Sequence, residues 1–178
     1  MTKFFLGSLI VLCCLTSVLS QSRKQATVKE KRALLLQMAR DTTQLNDMIY
    51  HSLGGFKSAL KAMRVKKTDL NGDGQPDYLT EVRDEDGVMC TRGNCPRWAY
   101  RKSGNGYKKL LETSGTELLL EKTSTNGYRD LQSYEARDIP NEYFVYVYKY
   151  DGNQYQNAQC HEGKYDGKRM KVLPKTCE

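Results

Sequence analysis

Asp69-Leu70-Asn71-Gly72-Asp73-Gly74-Gln75-Pro76-Asp77-Tyr78-Leu79-Thr80-Glu81-Val82 is where this 178-residue chain changes texture. Its first nine residues put an oxygen-bearing group at every second position around glycines, and its last five alternate apolar and polar. Period-two alternation marks a strand with one face buried, so the run is a loop that opens into a sheet. Asp69, Asn71, Asp73, the carbonyl of Gln75 and Asp77 stand at positions 1, 3, 5, 7 and 9, with Gly74 at position 6. Oxygens at that spacing wrap a hard divalent cation at about 2.3–2.6 Å, and Ca²⁺ is the cation the set fits. Asn-Gly and Asp-Gly also make hairpin turns that need no ion. Three carboxylates within nine residues, however, repel one another unless a cation sits among them.

The twelfth position separates a switch from a staple. An EF-hand closes its cage with a bidentate glutamate there and has helices on either side; this chain has Thr80, with Glu81 one place late, and continues as a strand. A calcium switch that opens a pair of helices is therefore not expected. A loop-into-strand site present in one copy resembles the calcium loops of FG-GAP repeats, in which the ion is structural.

The chain opens with Lys3 and a largely apolar run from Phe4 to Leu15, followed by Val18-Leu19-Ser20 before Gln21. This is the layout of a secretory signal peptide, read as residues 1–20, and it sets the expectation of a secreted or periplasmic protein. Cys13 and Cys14 raise a lipoprotein anchor as an alternative, but neither follows the small residue that lipidation needs. No later stretch approaches the 20 or so apolar residues of a membrane-spanning helix.

Beyond the leader four cysteines remain, Cys90, Cys95, Cys160 and Cys177, which allow three pairings. Proximity favours Cys90 with Cys95, closing a small loop around Arg92, and Cys160 with Cys177, tying down the tail. These spacings fit no usual zinc pattern, and an exported chain meets oxidising conditions. Cys-x-x-Cys is absent, which removes the simplest redox role.

The formal net charge of +7 is unevenly placed. Residues 21–67 carry eleven Lys or Arg against three acids, whereas residues 68–178 carry sixteen against eighteen. The basic character belongs to the N-terminal segment, so whole-chain basicity is no sign of nucleic-acid binding, and none is expected. In that segment Leu35, Met38, Leu45, Ile49, Phe56 and Met63 recur at spacings of three, four or seven, one apolar stripe of an amphipathic helix. Gly54-Gly55 interrupts it. Packing on the sheet that follows is the expected use of the stripe, and contact of this basic helix with an anionic membrane surface is the alternative.

After the loop, short segments rich in Tyr, Val and Leu alternate with Gly and Asn turns. Strands are expected over Tyr78 to Val82, Arg97 to Arg101, Tyr107 to Leu111, Glu117 to Lys122, Arg129 to Glu135 and Glu142 to Tyr150. Tyr143-Phe144-Val145-Tyr146-Val147-Tyr148 is apolar on both faces, as a central strand would be, and Asp151-Gly152-Asn153 turns the chain back from it. The fold class is therefore α+β, an N-terminal helical segment packed on an antiparallel β-meander. The organisation is a signal peptide at 1–20, a basic helical segment at 21–67, and a calcium-loop β domain at 68–178 with a disulfide-tied tail.

The order of these features resembles a family. The calcium loop, then Cys90 and Cys95 followed by Pro96 and Trp98, then Thr125-Asn126-Gly127-Tyr128-Arg129-Asp130-Leu131, then a tyrosine-rich strand ending in Tyr150-Asp151-Gly152, is similar to small exported bacterial proteins of uncharacterised function. The resemblance spans about residues 66–157. It implies a single calcium-loop sheet domain in an envelope or extracellular setting, and it implies no activity.

Catalytic patterns are sparse. His51 and His161 have no nucleophile beside them in sequence, and there is no Gly-x-Ser-x-Gly elbow, His-Glu-x-x-His or phosphate-binding glycine loop. Three functions are weighed on this basis. The first is a calcium-stabilised binding module whose partner is a protein or an anionic polymer, with Arg129 as a candidate anion contact. The second is an inhibitor of a lysozyme-like enzyme that uses Arg92 on the Cys90 to Cys95 loop as a plug. The third is a hydrolase built on the acids Asp84, Glu85 and Asp86.

Overall fold

A computed structural model describes residues 25–42, 54–83 and 90–177. The expected signal peptide, Leu45, Ile49, His51 and the run Asp84 to Asp86 lie outside the described residues. The architecture is α+β, with helix α1 (Val28–Asp41), a short helix α2 (Phe56–Ala62) and nine strands among the described residues. The strands are β1 (Met63–Thr68), β2 (Asp77–Val82), β3 (Cys95–Ser103), β4 (Gly106–Gly115), β5 (Glu117–Thr125), β6 (Tyr128–Ala136), β7 (Glu142–Tyr150), β8 (Tyr155–Tyr165) and β9 (Met170–Thr176). All neighbours run antiparallel, but they form two sheets rather than one meander, β1-β2-β3-β4 and β5-β6-β7-β8-β9.

The helix is set by local chemistry at its start. Thr27 caps it by accepting the N–H of Glu30 at 3.2 Å, and Glu30 reaches back to the N–H of Thr27 at 2.7 Å. This reciprocal capping box satisfies two donors that a helix start otherwise leaves open. Leu34, Leu35 and Met38 then face inward and are buried on the first sheet against Met63, Tyr78, Val82, Trp98 and Tyr100. Tyrosine hydroxyls fasten both ends: Tyr78 donates to Glu30 at 2.9 Å and Tyr100 to Asp41 at 3.1 Å. Of the expected stripe, Leu35 and Met38 are thus covered by the sheet.

Met63 belongs to the same core, but as the first residue of β1 and not as the end of a helical stripe. From Met63 onward the chain pairs residue for residue with β2, Met63 opposite Val82 and Thr68 opposite Asp77. Ladder pairing with β2 overrides the helical spacing that Phe56 and Met63 share.

A second core lies between the sheets. Leu70, Leu79, Ala99, Leu110 and Leu111 of the first half meet Leu118, Tyr128, Leu131, Tyr148, Tyr150 and Tyr155 of the second. The chain passes from one sheet to the other at Gly115-Thr116. A Cβ on Gly115 would stand 2.6 Å from the Tyr134 carbonyl, the same oxygen that accepts the N–H of Thr116 at 2.6 Å. Only a glycine lets the backbones approach this closely, and β4 and β5 on either side of it lie in different sheets.

The expected cysteine pairs are both formed. Cys90 is bonded to Cys95 and Cys160 to Cys177, with Cα–Cα distances of 4.2 and 5.4 Å. Such bonds persist in oxidising, extracellular-type surroundings. Among the described residues no helix is long and apolar enough to cross a membrane.

Candidate metal centre

The loop between β1 and β2 is organised by its own side chains. Asp69 accepts the N–H of Gly72 at 2.7 Å on one carboxylate oxygen and that of Gly74 at 2.9 Å on the other. Asn71 accepts the N–H of Asp73 at 3.3 Å, and Asp73 that of Gln75 at 2.7 Å. Gly72 and Gly74 have φ of 75° and 78°, the left-handed region open to glycine at little cost. Nothing lies within 4 Å of a Cβ built on either, so backbone conformation and not space calls for glycine there. Each Asp and Asn thereby folds the chain around itself and keeps its oxygens on the loop.

Asp77 closes the loop from the start of β2. It is 3% exposed, and its carboxylate accepts the N–H of Leu70 at 2.8 Å. Burial pushes its pKa up to about 6; the Leu70 N–H and Arg101 oppose the rise, while the charges of Asp73 and Asp69 add to it. Asp73 moves the other way, held down by the Asn71 amide and the Gln75 N–H. A buried carboxylate pressed by two others is what a bound cation relieves. Among the described residues no three His, Cys, Asp or Glu side chains converge as a ready-made cage. The loop oxygens are turned onto N–H groups, and each carboxylate oxygen retains a second lone pair.

Residues next to the loop separate ligands from framework. Thr80, at the twelfth position, points its hydroxyl at the Met38 sulfur, 3.8 Å away under the helix. Glu81 is 8% exposed and is held by Arg97, Arg83 and Arg64. Neither side chain faces the loop, which is the geometry of a loop leading into a sheet. Arg97 was not visible as a site residue in the sequence; its Nε donates to the Gly115 carbonyl at 2.8 Å, so it braces the passage between sheets.

The loop is also fastened to the second sheet. The Leu70 carbonyl accepts the N–H of Arg129 at 2.7 Å, and the Leu70 side chain is buried in the inter-sheet core. Asn71 and Arg101 donate to the Tyr128 hydroxyl at 3.3 and 2.6 Å, and the Tyr128 ring stacks on Tyr150 with centroids 4.0 Å apart. The strand pattern gives no sign of this docking, because it depends on how two sheets stack.

The two sequence candidates outside the loop are placed on backbone and on an acid. Arg129 donates from Nε and Nη2 to the Glu121 carbonyl at 3.0 and 2.7 Å, bridging β6 to the irregular part of β5. Arg92, at φ 54° in the turn of the disulfide loop, pairs with Asp138. Asn94 binds Ala136 through both its oxygen (2.7 Å) and its nitrogen (2.9 Å), so that loop lies against the end of β6.

Comparison with protein-family models, with curated proteins and with solved structures gives no match.

Proposed function

We propose that this protein is an exported, calcium-stabilised β-rich binding module, in which the ion held by Asp69, Asn71, Asp73, the Gln75 carbonyl and Asp77 is a structural staple. The observation that carries the reading is the loop's dual attachment. Asp69 accepts the N–H groups of the two left-handed glycines, Gly72 and Gly74, and Leu70 is bonded to the second sheet. An ion there would fix the inter-sheet interface as well as the start of β2. The disulfide pairs support a site of action in oxidising surroundings. The inhibitor reading loses ground, since Arg92 and Asn94 are engaged with the protein's own surface.

Thermal unfolding with Ca²⁺ and with a chelator tests the staple. A ligand that binds only the folded state stabilises by about 2.7 kcal/mol at a hundred times its Kd, worth roughly 5–10 °C in a domain of this size. Asp69→Ala and Asp73→Ala should each abolish the shift while the chelated proteins remain folded. Identical melting curves in the two conditions would rule the staple out.

A further inference from the structure

The first sheet is covered on both faces, by helix α1 on one and by the second sheet on the other. Among the described residues the second sheet packs through one face on the first sheet, and neither helix makes substantial contact with it. A hollow of about 430 Å³ lies between β6, β7 and the β8 to β9 turn. Tyr134, Tyr143 and Tyr165 line it together with Glu117, Lys168 and Arg169.

The chemistry of this hollow is specific. Its tyrosines are half-buried or exposed, with Tyr165 at 38%, so their rings are available as surfaces and are not core filling. Tyr134 is held in place by donating to Gln132 at 2.8 Å. Gly163 pairs with Tyr143 across the strands, and a Cβ there would meet Val145 at 2.7 Å and the Met170 sulfur at 3.1 Å. The glycine therefore lets Met170 settle beside Val145 as floor. The β8 to β9 turn is rigid, because Asp166 accepts the N–H groups of Lys168 and Arg169 at 3.0 and 3.1 Å and pairs with Lys171. The Lys168 and Arg169 side chains extend outward with no ion pair among the described residues.

Aromatic rings stack on the C–H faces of sugar rings, tyrosine hydroxyls and a carboxylate bind sugar hydroxyls, and two cations prefer an anionic substituent. We infer that this hollow binds an acidic polysaccharide, a glycan whose rings lie on Tyr134, Tyr143 and Tyr165 and whose carboxylate meets Lys168 and Arg169. The inference rests on the binding-module reading and names its site and ligand class.

The probe is a tetrasaccharide of alternating glucuronate and N-acetylglucosamine, titrated calorimetrically into the calcium-loaded protein, with neutral chitotetraose as the control. Binding of the acidic probe is expected, weakened roughly tenfold by Tyr165→Ala through loss of one stacking surface. Lys168→Gln with Arg169→Gln is expected to weaken it about tenfold at low salt and much less at high salt. All these side chains are on the surface, so melting temperature and calcium response should stay those of the parent. Equal binding of chitotetraose, or no effect of the three substitutions, would overturn the inference, as would no binding of the acidic probe. Absent glycan binding with an intact calcium response removes this site alone. Glycan binding without any calcium response removes the staple alone.

Discussion

The backbone N–H of Arg129 donates to the carbonyl of Leu70 at 2.7 Å, which ties the candidate calcium loop of one sheet to the start of β6 in the other. Beside this bond the Leu70 side chain is 1% exposed in the inter-sheet core. One residue therefore belongs both to the loop and to the interface. Truncation should strike both. Leu70→Ala is expected to cost about 2–4 kcal/mol in denaturant unfolding, the range for a buried leucine whose cavity only partly collapses, and to weaken Ca²⁺ binding in calorimetry. A cost below about 1 kcal/mol would mean that the loop rests on the second sheet without holding it.

Asp77 should show an inverted stability effect. Its folded pKa of about 6 stands above the usual 3.8, so its ionisation opposes folding, fully above about pH 6 and not at all below about pH 4. Asn keeps an acceptor for the Leu70 N–H without the charge. In chelator at pH 7 Asp77→Asn should thus be more stable than the parent, by up to about 2–3 kcal/mol, with the gain vanishing towards pH 4. In Ca²⁺ the order should reverse, because the variant lacks a ligand charge. Destabilisation in both conditions would show that the charged form is net stabilised by the Leu70 N–H and Arg101 despite its burial.

The legible parts of this fold are those governed by local period. Tyr78 to Val82 reads as a strand with one buried face and is a strand, but all six residues of β2 are buried because one face meets the helix and the other the second sheet. Tyr143 to Tyr148 lies, as expected, in a central strand, β7, in the middle of five. The helix stripe was readable at Leu35 and Met38, which are buried. What the sequence does not disclose is set by stacking and register. Gly115 looks like one more turn glycine, yet its contact with the Tyr134 carbonyl is where the meander divides into two sheets. Strand β1 was hidden because Met63 fits a helical spacing, and β9 because a lysine-rich segment with Pro174 resembles a solvated tail more than an edge strand. At the candidate site the oxygen spacing could be read residue by residue. The bonds from Leu70 and Asn71 to β6 could not, since Tyr128 and Arg129 are more than fifty residues away in sequence.

Glu30 should respond to pH with the opposite sign to Asp77. Partial burial favours its neutral form, but Lys67, the backbone and hydroxyl of Thr27 and the Tyr78 hydroxyl outweigh that and bring its pKa from the usual 4.5 to about 2. A depressed folded pKa contributes stability that is present above about pH 4.5 and lost as pH falls towards 2. Glu30→Gln should therefore cost about 2 kcal/mol at pH 7, the shift discounted because its side chain is 23% exposed. Parent and variant should converge on acidification. A difference constant from pH 7 to pH 3 would assign the loss to contacts that do not depend on the carboxylate's charge.

The two disulfides set chain entropy against burial. They span 5 and 17 residues, and loop closure alone assigns about 2 kcal/mol to Cys90–Cys95 and about 3 kcal/mol to Cys160–Cys177. Position argues for the reverse order in global stability. Cys95 is 3% exposed, and its loop is coupled to the second sheet through Asn94 and Ala136, whereas Cys177 follows an edge strand whose residues 171–176 are all exposed. Opening the longer bridge should release β9 locally, since few buried contacts hold it and the rest of the sheet does not depend on it. Cys160→Ser with Cys177→Ser is thus expected to raise amide exchange across Val172 to Lys175 and barely move the melting temperature. Cys90→Ser with Cys95→Ser should lower the melting temperature by several degrees. If instead the tail variant melts lower, chain entropy governs, and β9 is part of the cooperative unit.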